Sequence, residues 1–508
     1  MLRLIHLAGL TVLLMLAGCR SSQTDDRTVV VIIDSSPANL DPRIGTDAQS
    51  ERVGGLIFDA LVRKDEHYEM KPWLAQSWEQ PDPLTWVFHL RSGVRFHDGR
   101  PLEAEDVAWT INSLIGGALL SSKSGAFANV DRAEARGPVT VLIHMKQSDA
   151  SLLFNLSDGL FGVVPRGVGK DFGRHPVGSG AFRFVSSIQD KEVIVERNAE
   201  YWAGAPRIER VRFPVIPDAV TVALEMQKGS ADIASNVLTL DMVNSLQGAH
   251  GLRTETASGS PVMFMNFNVA QGPLQHKSVR QAIAFAMDRT AILHAIWHDQ
   301  ARLSQSLLPP GHWALADSRE MSQYPHDIKR AGALLDAAGY RADARGVRLK
   351  LEMKTSQDES TRLLALVLQQ QLAAVGIELT LRASEFGTFY ADVTNGRFQM
   401  YCLRWIGSNE DPDIFRYAYG SDRFPPKGGN RGHYVNAHVD ALLGAAATTT
   451  EADIRRQYYV EVQKILADEL PGIPLWYPNN EIVHTDRIMG IVPRVDGSFG
   501  FLLDAWIR

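Results

Sequence analysis

Residues 359–381, ESTRLLALVLQQQLAAVGIELTL, decide the fold. Leu364, Leu368, Leu372 and Val375 recur at helical spacing and form one apolar stripe. Gly376 follows, the residue type that most often ends a helix in a left-handed cap. Ile377, Leu379 and Leu381 then alternate with polar residues, the two-residue period of a strand. The stretch therefore predicts a helix over 359–375 feeding a strand. Another helix-like segment and a strand over 398–405 come next, so the region reads as a crossover unit of a parallel sheet. In such sheets ligands bind at the carboxyl ends of strands. Here the strand runs straight into RWIGSNEDPDIF, residues 404–415, which places a cation, a large aromatic, a Gly-Ser-Asn turn and three acids together.

The same alternation extends outward and predicts an α/β architecture. TVVVIID, 28–34, is the continuous apolar run of a strand covered on both faces. Residues 53–61 read as a helix and 86–90 as a strand, while acids at Glu103, Glu105 and Asp106 favour a helix start. A hairpin is predicted from 181–185 and 193–196, a strand over 261–269, and a helix with Val279, Ile283, Ala286 and Met287 on one face. Gly178-Ser-Gly180 lacks the Lys-Ser or Lys-Thr of a phosphate loop, so nucleotide binding is excluded there.

With 508 residues the chain exceeds what one core accommodates, and at least two domains are expected. A net charge of −6, with no basic run interleaved with aromatics, argues against a nucleic-acid partner. Arg3, the apolar run 4–16 and Leu16-Ala17-Gly18-Cys19 have the layout of a lipoprotein signal peptide. That assigns 1–18 as signal, Cys19 as the lipidated mature N-terminus and 19–27 as a polar tether. The apolar run is shorter than the ~20 residues a membrane span needs. Cys402, the other cysteine, lies in an apolar strand and reads as a buried inert thiol.

Several stretches, in order along the chain, resemble the family 5 extracellular solute-binding proteins, the peptide- and nickel-type receptors of ABC importers. They are LAQSWE…LTWVFHLRSGVRFHDGRPLEAEDV (74–107), HPVGSGAFRF (175–184), VIVERNAEYWAGAP (193–206), VRQAIAFAMDR (279–289), LLDAAGY (334–340), LAAVGI (372–377) and the loop after 404. The resemblance implies a two-lobed periplasmic-binding-protein clamshell of type II, cluster C-like, with an inserted subdomain. Lobe I would comprise 28–52, 181–267 and 477–508, the inserted subdomain 53–180 and lobe II 268–476. It implies hinge closure on a peptide or peptide-like solute, delivery to ABC permease and ATPase subunits, no cofactor, and a monomer. The location implied is the periplasmic space or cell surface, anchored to the membrane through Cys19. A metal chelate, haem or sugar on the same fold is the alternative ligand class, and a hydrolase a more distant one.

The ligand-binding residues expected are Asn39, Leu40, Asn266, Arg404, Trp405, Gly407, Ser408 and Asn409. Trp405 reads as a cleft wall, with burial in the core as the competing reading. Arg404 reads as a forked donor to a ligand carboxylate or as a structural partner of Glu410 or Asp413. Asn39 and Leu40 face the cleft by resemblance alone, and Asn266, like Asn268, is a hinge-strand polar group. Asp411 and Asp413 read as caps of the next helix. The dipeptide-binding members carry an aspartate three residues after the tryptophan and an arginine some fifty residues earlier. Here those positions hold Ser408 and Thr355, the latter beside Lys354, so both charged anchors for peptide termini are missing. A longer peptide, or a solute without free termini, is expected to bind better than a dipeptide. His294 and His298 have metal-ligand spacing, but no third ligand accompanies them, and no metal site is assigned.

Overall fold

The computed structural model describes residues 27–508 except 46, 118, 120, 158, 357–358, 385, 406–409 and 426. The crossover unit is present: Leu349–Ser356 pairs in parallel with Ile377–Ser384 over eight residues, from Leu349 opposite Ile377 to Ser356 opposite Ser384. Helix Glu359–Ala373 connects them. Helix Phe386–Thr394 then leads to Met400–Trp405, parallel to the first strand on its other edge. The first helix stops two residues earlier than expected, because 374–376 turn toward Gly376, whose φ is +79°. A Cβ on Gly376 would lie 2.5 Å from the Gly346 carbonyl oxygen. Gly376→Ala is therefore expected to cost about 2 kcal/mol or more, combining left-handed strain with a backbone clash. Urea unfolding checks this.

These strands belong to a twelve-stranded mixed sheet. Its path runs from the crossover unit through Val262–Phe267 and Gly472–Thr485 to Ile233–Ser235, Thr28–Ile32, Arg210–Pro214 and the hairpin of Glu192–Arg197 with Phe182–Ile188. Thr28–Ile32 is buried at every position and has a parallel neighbour on each side, which explains its unbroken apolar run. The 14-residue strand Gly472–Thr485 joins the two halves. Its start pairs with Val262–Phe267, and its end pairs with Leu252–Ser258 and Ile233–Ser235.

Separate apolar cores flank this sheet. One gathers Val29, Val31, Phe182, Phe213, Ile482 and Phe501. Two others, around Met265, Leu368 and Trp476 and around Phe264, Trp405 and Tyr459, fill the other half. A further core lies under a four-stranded antiparallel sheet ordered Ala75–Asp82, Thr85–Leu90, Thr140–Met145, Val130–Ala135 and covered by helix Ala104–Ile115. That helix starts at the predicted acids, with the Glu103 amide donating to Asp106 Oδ2 at 2.9 Å.

Two helices differ from expectation. The first runs Ala48–Ile57 rather than 53–61, because Asp47 caps it by accepting from the Ser50 amide. The helix expected to carry Val279, Ile283, Ala286 and Met287 on one face runs Lys277–Ala286 and stops before Met287, and a second helix, Arg289–Trp297, follows, where Asp288 caps it by accepting from the Ala291 amide. Gly178 serves close packing: a Cβ there would sit 1.9 Å from the Ile57 carbonyl oxygen. Among the described residues no helix is long and apolar enough to cross a membrane.

Candidate functional site

The candidate site lies where strand Met400–Trp405 ends. Trp405 is 9% exposed, and its ring stacks on Phe264 with centroids 5.3 Å apart and meets Tyr417 edge-on at 5.8 Å. The Arg431 guanidinium lies over the same ring, 5.3 Å from its centroid. Trp405 is thus packed into one core, the burial that competed with the cleft-wall reading. Arg404 is exposed on the same strand, opposite Met263. Gly407, Ser408 and Asn409 lie outside the described residues, as does Cys19. Cys402 is buried, and burial raises its thiol pKa well above the usual range.

The three acids that follow have distinct partners. Glu410 is buried and bridges distant segments: its Oε2 accepts from Lys64 Nζ at 2.6 Å and its Oε1 from Ser260 Oγ at 2.6 Å. His312 Nε2 lies 3.1 Å from the Glu410 carbonyl oxygen, and its imidazole stacks on Tyr68 at 5.4 Å. Burial pulls the His312 pKa down to about 3, so the ring is neutral. The capping role falls to Asp411, whose Oδ1 accepts from the Asp413 amide at 2.7 Å and meets Arg455 Nη2 at 3.4 Å. Asp413 makes no side-chain cap bond; its carboxyl lies 3.5 Å from the Tyr459 hydroxyl. Burial, with neighbouring Asp411, pushes Asp413 up to about 7. Engaged in this way, the acids hold the loop in place.

Around Glu410 the structure assembles charges that the sequence left scattered. Lys64 sits in strand Val62–Lys64, and Glu51 and Lys123 approach within 3.8 Å of each other. Burial raises Glu51 to about 7, with Lys123 and Lys64 pulling it back. Burial lowers the Lys123 pKa. Residues 150 and 151 also reach the segments around 411 and 447, through the Ala150 amide to the Ala447 carbonyl at 3.0 Å and Ser151 Oγ to Asp411 Oδ1 at 3.3 Å. No local pattern marks Lys64 or Lys123, since their partners lie far along the chain.

The other expected residues are placed elsewhere or occupied. Leu40, 5% exposed, packs in the core with Val29 and Phe182. Asn39 Oδ1 accepts from the Asp41 amide at 2.9 Å, closing a turn. Asn266 Nδ2 donates to the Tyr401 hydroxyl at 3.1 Å, while Asn268 Nδ2 donates to the Gly396 and Phe398 carbonyls. Thr355 is buried in its strand, and Lys354 Nζ is held by Asp392 Oδ2 at 2.5 Å. His294 pairs with Asp299 and His298 with Asp241, on diverging partners. Among the described residues no three His, Cys, Asp or Glu side chains are placed to hold a metal.

Comparison with known proteins agrees with this architecture. Residues 69–425 match the family "Bacterial extracellular solute-binding proteins, family 5 Middle". The chain is 27% identical to the glutathione-binding protein GsiB of Shigella flexneri, across 99% of each chain. Its fold is similar to that of NikZ from Campylobacter jejuni in complex with Ni(L-His), with a TM-score of 0.80, 25% identity and coverage of 95% of this chain and 100% of that one. It is similar also to the oligopeptide-binding protein AppA of Bacillus subtilis in complex with a nonapeptide, with a TM-score of 0.77, 23% identity and coverage of 95% and 99%. With its two-lobed α/β architecture and a family match over most of its length, this chain belongs to the family 5 bacterial extracellular solute-binding proteins, whose work is capture of a solute rather than catalysis.

Proposed function

We propose that this protein is the substrate-capturing lipoprotein of an ABC importer, which closes two lobes on a peptide or peptide-like solute and delivers it to a membrane permease. The observation that carries this reading is the composition of the cleft face. Trp405 stands at the end of a parallel strand, and charges of both signs, the buried Glu410 with the partly buried Glu51, Lys64 and Lys123, gather from distant segments nearby. An apolar wall beside paired charges suits a solute with an apolar portion and both an ammonium and a carboxylate. Similarity to a glutathione-binding protein over nearly the whole chain supports the same class.

In this reading lobe I comprises 28–52, 181–267 and 477–508, the inserted subdomain 53–180, and lobe II 268–476. The hinge is the antiparallel pair Val262–Phe267 and Gly472–Thr485. The protein acts as a monomer at the outer face of a membrane, held through acylated Cys19. Cys19→Ala is expected to retain its signal and to lose acyl labelling; an acylated variant would overturn the anchor.

Free dipeptides are expected to bind poorly. Thr355 carries no charge and Lys354 is already neutralised by Asp392, so the strand offers nothing for a dipeptide's carboxylate. A missing charge-assisted bond forfeits about 1.5–3 kcal/mol. The test is native mass spectrometry of the protein from its own host, then calorimetry with whatever solute it carries. Unmodified dipeptides bound with micromolar or tighter affinity would refute this expectation.

A further inference from the structure

Four arginines are buried in the described residues: Arg43, Arg280, Arg431 and Arg455. A guanidinium removed from water is costly unless a countercharge or a full set of acceptors receives it. Arg43 has Asp41 at 2.7 Å and Arg455 has Asp411 at 3.4 Å. Arg280 donates to the carbonyls of Leu274, Gln275, Glu469 and Leu470. Arg431 has neither arrangement. It is 4% exposed, Nη2 donates to the Tyr390 hydroxyl at 2.9 Å, and Nη1 is buried without a hydrogen-bond partner.

What surrounds Arg431 is aromatic. Its guanidinium lies 5.2 Å from the Tyr390 ring centroid and 5.3 Å from that of Trp405. Such contacts favour a cation but do not neutralise it. The Tyr401 hydroxyl also faces and interacts with the guanidinium while accepting from Asn266 Nδ2, but burial raises its phenol pKa, so it stays neutral and brings no countercharge. The backbone here is pinned by Asn430, which donates to the Gly420 and Tyr434 carbonyls and accepts from the Tyr434 amide. The charge is thus held rigidly at the carboxyl end of strand Met400–Trp405, behind Tyr390, which is 40% exposed.

We propose that Arg431 is the carboxylate anchor of the bound solute, donating Nη1 to a ligand oxygen beside Trp405. This deepens the reading of the cleft as a peptide-type site and rests on it. The carboxylate site lost at Thr355 is thereby supplied from another element, on the other side of Trp405's strand. Because the anchor sits on another element, a carboxylate-bearing solute is received in a different geometry from that of the dipeptide-binding members. A planar oxyanion presents two acceptors to the forked donors of arginine, which an ammonium cannot reproduce.

The test uses the full mature protein with Arg431→Met, which keeps an unbranched apolar side chain, and Arg431→Lys. Short peptides longer than dipeptides are titrated calorimetrically, each as the free acid and as the C-terminal amide, and each protein is melted without ligand. Wild type is expected to prefer acids by about 10- to 100-fold, the worth of one charged hydrogen bond. Arg431→Met should bind amides as wild type does and lose the preference, and Arg431→Lys should retain part of it. Ligand-free Arg431→Met should melt no lower than wild type, since an uncompensated buried charge has been removed. Equal binding of acids and amides by wild type, or an undiminished preference in Arg431→Met, overturns the assignment. If no peptide binds, the peptide reading fails and the anchor is judged separately. An anionic solute carried from the host by wild type and absent from Arg431→Met upholds it, and a solute without an anionic group overturns it. If no solute is carried, the melts decide: a lower-melting ligand-free Arg431→Met marks a structural arginine and overturns the anchor.

Discussion

Asp59→Ala is expected to lower folding stability by about 3–5 kcal/mol. Asp59 is 3% exposed and accepts four hydrogen bonds. Its Oδ1 receives Tyr201 OH at 2.8 Å and Trp73 Nε1 at 2.9 Å, and its Oδ2 receives Ser179 Oγ at 2.9 Å and Trp202 Nε1 at 3.1 Å. Two effects oppose one another. Deleting a buried carboxylate recovers its desolvation cost of several kcal/mol. Against that, four donors lose their acceptor at about 1–3 kcal/mol each, with a cavity added. The orphaned donors outweigh the gain. Asp59→Asn should cost less, because one oxygen still accepts while the amide meets the other two donors. Trp73 and Trp202 lie 4.7 Å apart, so tryptophan fluorescence during urea unfolding reports on this hub directly. A loss below about 1 kcal/mol for the alanine variant would refute the account. This carboxylate also explains why Tyr-Trp in NAEYWAGAP and the serine of VGSGAF occur where they do.

Lys64→Met is expected to open the ligand-free protein. Lys64 and Glu410 are 346 residues apart, 2.6 Å from each other, and nearly water-free. Removing one member strands the other, at about 3–5 kcal/mol. That is comparable with or larger than the few kcal/mol that separate conformers of a hinged protein, so Glu410 should regain water by separation of the halves. Small-angle scattering should show a larger radius of gyration for Lys64→Met than for wild type without ligand. The double variant Lys64→Met with Glu410→Met should recover compactness, since two apolar groups need no water. An unchanged radius in Lys64→Met would exclude the pair as a closure latch. The same cluster carries a pH dependence. Glu51, raised to about 7 by burial, binds its proton more tightly in the folded protein. Its contribution is complete below the unfolded value near ~4.3 and is lost as the pH rises through about 7.

The α/β architecture was open to reading from local pattern. The stripe of Leu364, Leu368 and Leu372, the turn at Gly376 and the alternation of Ile377, Leu379 and Leu381 are consequences of backbone period, which neighbours along the chain impose on one another. For the same reason the ends of elements were displaced wherever a nearby cap competed, as Asp47 did for the first helix and Asp288 for the helix after Val279. The loop after Trp405 was also legible as a place, since strand ends in crossover units have a known ligand-facing side. What its charges do was legible only in part: Asp411 accepts from the Asp413 amide at the helix start as read, but its other partner and those of Glu410 were not legible. Arg404 stands in the same loop as a candidate partner, yet the Glu410 carboxylate accepts from Lys64 and Ser260, and Asp411 also meets Arg455.

Sequence by itself determined the periodic elements, their order and the family, because each rests on residues a few positions apart or on motifs repeated in sequence order. Only the tertiary structure decided which buried charges meet a countercharge and which do not. That selection depends on desolvation, and desolvation is set by the whole packed surroundings of a side chain. Arg43, with Asp41 two residues away, shows its partner in the sequence. Arg431 has no such neighbour, and nothing local distinguishes it from an exposed arginine until the Trp405, Tyr390 and Tyr401 rings close around it.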